Sequence, residues 1–483
     1  MSRYNGTTSR SAAKREGLFM KENTKEHALF ESSPIPLAIL RLALPTVIGQ
    51  AILVIYNMAD TFFIGLTGSD AMVSAVTVCT PAFMFLSAIS NLFGVGGSSV
   101  ISRSLGCRLT DRAQRTSAFA FWGCLLTTML YALGVWLLLD PFIDALGGSD
   151  AAVHAHARGY LIITVVLGGL CTSMSALLAH LVRSEGRSTQ SSIGIVLGGL
   201  LNIVLDPLFM FVLLPRGQEI LGAAIATTLS NLLSTLYFAL LLRRMRRNTV
   251  LSVRPMPEMF SQGIPSAVLS CGLPACLMTL FENISYAVLD HLIALNGVAM
   301  QAGLGVAKKV NMLAHSIVRG MAQGVLPLVS YSYASGNHVR MRRAETLSMI
   351  ISVALASACM AVCLLFSEPL ITLFIPHGTQ SVHCGARFLR ILCIGGPFSA
   401  CAYAIISFFQ AVGCGLRSFV LAILRKGLLD IPLMFLLRGI SPVFGIVWAT
   451  PITDVVCCVV SLLMFFSFLR AHHPQPAPVP ALD

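Results

Sequence analysis

Charge is what this chain has least of. Only 11% of its 483 residues are Asp, Glu, Lys or Arg, against about 25% in soluble globular domains. That scarcity excludes a chain solvated on every side. Hydrophobic residues at 55% and a mean hydropathy of +0.79 point instead to an integral membrane protein. No GxxxxGK[ST] sequence occurs, so the chain carries no ATP motor of its own. GxSxG and HExxH are missing too, so we expect no catalytic residue and no cofactor. The 14 cysteines fall singly except for Cys457-Cys458, with no CxxC pair or Cys/His cluster, and read as small core residues. The formal charge of +12 would suggest nucleic acid only if the cations clustered on a soluble face, and they do not.

What is there is apolar sequence in long runs. A span needs about 20 apolar residues. Twelve such stretches run at about 35–65, 71–101, 117–139, 160–182, 189–214, 220–242, 264–290, 298–330, 346–366, 386–409, 417–437 and 443–469. The start holds Arg10, Lys14, Arg15, Lys21 and Lys25 without an apolar core, and so reads as a tail rather than a signal peptide. The Pro-rich end, HHPQPAPVPALD, reads as disordered. The expected organisation is a polar tail at 1–33, a six-helix lobe at 34–248, a linker at 249–262, a second six-helix lobe at 263–470 and a tail at 471–483.

Lys and Arg concentrate in alternate loops. One set holds Arg103, Arg108, Arg112 and Arg115, then Arg183 and Arg187, then five arginines from Arg243 to Arg254. It ends with Arg340, Arg342, Arg343, Arg417, Arg425 and Lys426. The opposite loops hold fewer, beside Asp70, Asp140, Asp144, Asp150 and Glu368. This bias places both termini in the cytoplasm, for a multi-pass protein of the plasma (inner) membrane.

The chain also repeats itself. Pro45 in LALPTVIGQ matches Pro274 in CGLPACLMT, and Gly68 matches Gly297 at the same offset. GGLLNIVLDPLFMFVL (198–213) echoes RKGLLDIPLMFLL (425–437), and SRSLG (102–106) falls opposite SYASG (332–336). Six spans separate the copies, so both halves point the same way. Parallel repeats make two bundles about a cleft, the architecture of a secondary transporter.

Within the first span Gln50, Tyr56, Asn57 and Asp60 fall roughly on one helical face. A carboxylate in hydrocarbon is costly unless it meets a cavity, an ion or a partner. The plain alternative is an Asp snorkelling to the interface.

YNMADTFFIG, the loop GSDA, SRSLG and LDPLFMF resemble the multidrug and toxic compound extrusion (MATE) family. The resemblance spans both halves, from about residue 35 to 470. It implies two six-helix lobes in a V, exporting drug-like small molecules in exchange for Na⁺ or H⁺. A lipid-linked glycan flippase of the same superfamily is the alternative; its cavity would want many Arg and Lys for diphosphate. We expect a monomer with no nucleic-acid partner.

At about 1.5 Å per residue, Asp60 lies about 8 Å, Asp206 about 12 Å and Thr227 about 10 Å inside the outer ends of their spans. Asn202 is one turn from Asp206 on the same face. Carboxylate, amide and hydroxyl oxygens suit a hard cation such as Na⁺, and two close carboxylates can also share a proton. Pro207 frees the carbonyl of Ile203 beside them, or merely kinks the helix. The resemblance implies that Asp60, Asn202, Asp206 and Thr227 form the family's amino-terminal-lobe cation site. It also marks Glu282 as a second-lobe acid, but the tenth span offers no second carboxylate. Lys308 or Lys309 is expected to neutralise Glu282, as a structural pair or as part of transport. Met58, Met84, Met174, Met278 and Met312, with Phe83, Phe85 and Phe281, read as cavity wall or as plain packing.

Overall fold

The computed structural model describes residues 24–148, 150–375 and 379–471. The polar start to residue 23 and the Pro-rich end from 472, expected as tails, lie outside the described residues. No strand occurs among the described residues.

Twelve long helical elements follow a short helix at Thr24–Glu31. They are α1 (Ile35–Gly65), α2 (Asp70–Gly106), α3 (Thr110–Leu137), α4 (151–184), α5 (Ser188–Leu213) and α6 (Glu219–Arg244) in the first lobe. The second holds α7 (Ile264–Ala294), α8 (Val298–Ala334), α9 (His338–Leu365), α10 (379–411), α11 (415–438) and α12 (Phe444–Ala471). Eight of them are long and apolar enough to cross a membrane singly, and α4 and α10, bent by 47° and 42°, each make one more. The other two, α8 and α11, have the length but carry Lys308, Lys309 and Arg319, and Arg425, Lys426 and Asp430. Leu126, Leu130, Leu133 and Leu137 give α3 an exposed apolar stripe at helical spacing, a surface suited to hydrocarbon.

Local chemistry starts and stops these helices. The Ser69 hydroxyl caps α2 by accepting from the Met72 amide at 3.4 Å, and Asp150 caps α4 through Ala152 and Val153 at 3.0 and 3.2 Å. The α1–α2 and α7–α8 joints turn on Gly68 (φ +67°) and Gly297 (φ +115°), a left-handed backbone that a side chain would strain. The repeat is thus kept where the turn needs it. The breaks in α4 and α10 were not expected. In α4 a wide π-helical turn at Ile162–Leu167 precedes Gly168, where the Thr228 hydroxyl takes the Ile163 carbonyl at 3.1 Å.

The lobes meet along the halves of α1, α2, α7 and α8 nearest the described chain ends. Backbones touch there. A Cβ on Gly272 would stand 1.7 Å from the Leu92 carbonyl oxygen, and one on Gly320 would stand 2.5 Å from Val47 Cα. Hydrogen bonds cross the same seam from Ser99 to the Gln410 carbonyl (2.6 Å) and from Gln50 to Gln323 (3.1 Å). The Thr24–Glu31 helix straps it: Phe30 stacks on Tyr331 at 5.0 Å, and Tyr331 donates to Glu31 at 2.6 Å. By contrast, residues 51–63 of α1, toward the other side, are half-buried or exposed throughout. The cleft therefore opens on the side away from the chain ends. Between the lobes, the linker is held by Glu185, which accepts from the Thr249 hydroxyl (2.7 Å) and the Val250 amide (2.6 Å). Burial, the largest influence, raises the Glu185 carboxyl above its usual range despite these donors.

Candidate functional site

Two helices of the first lobe carry the polar pocket. On α5, Asn202 precedes Asp206 by one turn, and its amide donates to Asp206 Oδ1 at 3.2 Å. The same amide donates to Thr227 Oγ1 on α6, also at 3.2 Å. Asn202 and Asp206 are 1% and 0% exposed. Pro207 ends the regular part of α5, and a π-helical turn at Leu208–Leu213 follows. Thr228 is committed elsewhere, to the Ile163 carbonyl, so Thr227 is the hydroxyl of this pocket. Asp60 on α1 makes no hydrogen bond to these residues, but it lies within electrostatic range of Asp206, with Tyr56 and Tyr160 around both. Tyr160 on α4 was not anticipated, because nothing along its own helix marks it.

Three oxygens here are buried without a hydrogen-bond partner: Asp60 Oδ1, Asn202 Oδ1 and Asp206 Oδ2. Orphaned buried acceptors are costly and call for an explanation. All three are acceptors, so a bound cation would satisfy them together, whereas a single proton would serve at most two. Lys309, on α8 across the cleft, is a charge within range of Asp60.

The first-span stripe divides. Gln50 is buried in the seam, where it reaches Gln323, itself an acceptor for Arg183 at 3.3 Å. Asn57 turns back to its own helix, donating to the Leu53 carbonyl at 2.7 Å. Only Tyr56 and Asp60 belong to the pocket. One helical face spans two environments because α1 runs from the closed seam into the open cleft.

The second lobe corrects the expected pairing of Glu282 with Lys308 or Lys309. Glu282 is held by Arg319, at 3.3 and 3.2 Å to its two oxygens, and accepts from the Tyr403 hydroxyl at 3.4 Å. Lys308 pairs with Asp290 instead. Glu282 lies on α7 and the three cations all lie on α8, so which cation meets Glu282 was set by how the two helices pack. Glu282, Arg319 and Tyr403 line a cleft of about 640 Å³, counting space open to the outside, with Asn91, Thr279 and Gln323. Of the expected wall residues, Met278 lines this cleft, Met174 is buried in the core, and the Phe281 ring abuts Gly427.

A second correction concerns Arg425 and Lys426, which were counted as loop cations. Both are buried in α11, where Arg425 pairs with Asp454 and Lys426 with Asp430, each at 2.9 Å. The i,i+4 spacing of Lys426 and Asp430 was the available signal.

The MatE family model matches this chain twice, at residues 45–208 and 274–436. Multidrug export protein MepA of Staphylococcus haemolyticus is 28% identical over 440 residues, covering 91% of this chain and 95% of that protein. MepA of Staphylococcus aureus is 28% identical over 448 residues, covering 90% and 95%. Among solved structures, a multidrug resistance MATE transporter described as outward-facing superposes with a TM-score of 0.82 at 25% identity, covering 92% of this chain and 97% of the other. A MATE structure in a bent conformation superposes at 0.80 and 25% identity, covering 92% and 97%. Two matched halves, twelve helices in two lobes and a cleft between them place this chain in the MatE family of multi-pass membrane transporters.

Proposed function

We propose that the protein is a secondary active multidrug exporter, an antiporter that expels organic cationic or amphipathic compounds in exchange for Na⁺ or H⁺. The observation that carries the coupling is the set of orphaned oxygens on Asp60, Asn202 and Asp206 in one pocket of the first lobe. An incoming cation would satisfy them, or a proton would neutralise one of the two carboxylates. The export direction and the multidrug range rest on the MepA and MATE relatives. The basic loops support a cytoplasmic closed side with cytoplasmic termini, and on that reading the cleft opens outward. A glycan flippase is less well supported, because Arg319 and Lys308 are engaged by carboxylates rather than free for diphosphate.

The test is dye efflux from vesicles with the Na⁺ and pH gradients imposed separately. Efflux driven by one gradient, and lost in Asp206→Asn, supports the reading. Efflux that needs neither gradient overturns it.

A further inference from the structure

The buried ion pairs of α11 and α12 repeat the geometry of the first-lobe pocket. GGLLN (198–202) aligns with KGLLD (426–430), which sets Asn202 against Asp430 and Gly198 against Lys426. GAAIATTLSN (222–231) aligns with GIVWATPITD (445–454) without a gap, which sets Thr227 against Thr450. The contacts follow the alignment. Asn202 donates to Thr227 Oγ1 at 3.2 Å, and Thr450 Oγ1 donates to Asp430 Oδ1 at 3.1 Å. The offset of Pro274 from Pro45 places Ser285 on α7 opposite Tyr56 on α1, and Ser285 donates to Asp430 Oδ2 at 2.5 Å.

The two copies differ in what completes them. In the first lobe Asn202 Oδ1 and Asp206 Oδ2 are orphaned. In the second, Asp430 takes Ser285, Thr450 and the Lys426 ammonium at 2.9 Å, and neither of its oxygens is orphaned. Lys426 also lies 5.4 Å from the centre of the Tyr286 ring. All of this is sealed: Lys426 and Asp430 side chains are 2% and 0% exposed. Position 198 is glycine, so no ammonium stands beside Asn202 as Lys426 stands beside Asp430. The charge in range of the first-lobe pocket is Lys309, which reaches Asp60 from across the cleft.

We infer that the second lobe holds the repeat counterpart of the first-lobe cation pocket with its cation built in: the Lys426 ammonium stands on Asp430 where a free monovalent cation would otherwise bind. Removing that ammonium opens a second monovalent-cation site formed by Asp430, Thr450 and Ser285. The wild-type transporter therefore takes a free cation in one lobe only. The inference rests on reading the first-lobe pocket as a cation site, and the experiment separates the two.

The full-length protein in nanodiscs is titrated with ²²Na⁺ at about pH 8, where ordinary carboxylates are ionised. The expected stoichiometry is one site in the wild type, none in Asp206→Asn, two in Lys426→Met, and one again in Lys426→Met with Asp430→Asn. If the wild type binds none and Lys426→Met binds one, the second-lobe inference stands and Na⁺ occupancy of the first-lobe pocket falls. If Lys426→Met gains no site, the inference is overturned. Lys426→Met leaves a buried carboxylate uncompensated and can fail to fold. Its melting temperature is therefore read against Na⁺ and Li⁺ concentration, beside Lys426→Gln, which keeps a donor for Asp430. Stabilisation by either ion that vanishes when Asp430→Asn is added supports the site. Failure of both single variants to be rescued by either ion overturns it.

Discussion

Leu92 and Gly272 meet backbone to backbone, so closely that a Cβ on Gly272 would stand 1.7 Å from the Leu92 carbonyl oxygen. The contact joins α2 of one lobe to α7 of the other and closes the seam below the cleft. Overpacking of this kind costs about 1–3 kcal/mol, and here it falls only on the closed arrangement. Gly272→Ala should therefore shift the protein away from it by about fivefold or more. Distances between spin labels on the two lobes at the closed side should lengthen or broaden. An unchanged distance distribution would mean that the helices slide to absorb the methyl group.

Asp60→Asn keeps the shape of the side chain and removes its charge. With Asp60 Oδ1 buried and unpartnered, the charge contributes no protein hydrogen bond that folding would miss. We expect normal insertion and melting, with coupled efflux down by about tenfold or more, equivalent to about 1.4 kcal/mol of lost ion binding. Wild-type efflux from Asp60→Asn would reduce the residue to packing.

Asp206→Asn and Glu282→Gln should act differently. The first should raise the ion concentration needed for half-maximal efflux, or abolish coupling. The second strands Arg319, whose side chain is 35% exposed, so its cost should fall between surface and buried pairs, about 1–3 kcal/mol of stability. Adding Arg319→Gln should recover much of that loss in a thermal melt, whereas neutralising Lys308 should not, since Lys308 serves Asp290. If Glu282→Gln alone destroys ion dependence while Asp206→Asn preserves it, the coupling site lies in the second lobe.

Orientation can be checked with an impermeant thiol reagent on intact cells. Cysteine at the exposed Arg216 should label from outside, while cysteine at the exposed Arg246 and the native, exposed Cys107 should not. The opposite pattern would invert the membrane and turn the cleft inward.

The sequence alone determined what lies along the chain. Apolar runs too long for soluble packing gave the spans, and the matched Pro45 and Pro274 gave the repeat. Asn202 one turn before Asp206 put both on one face, and the residues read as a cation set from their depth do include a bonded trio. Such features follow from rise and period within a helix, which residue order dictates. Tertiary structure decided which side chains meet across helices. It sent Gln50 to the seam and Asp60 to the cleft, gave Glu282 to Arg319 rather than Lys308, and drew Arg425 and Lys426 inward onto Asp454 and Asp430. Those outcomes depend on how each helix is rotated and shifted against its neighbours. A rotation by one residue turns a side chain about 100° around the helix axis, so a buried charge finds its partner only once the lobes have packed.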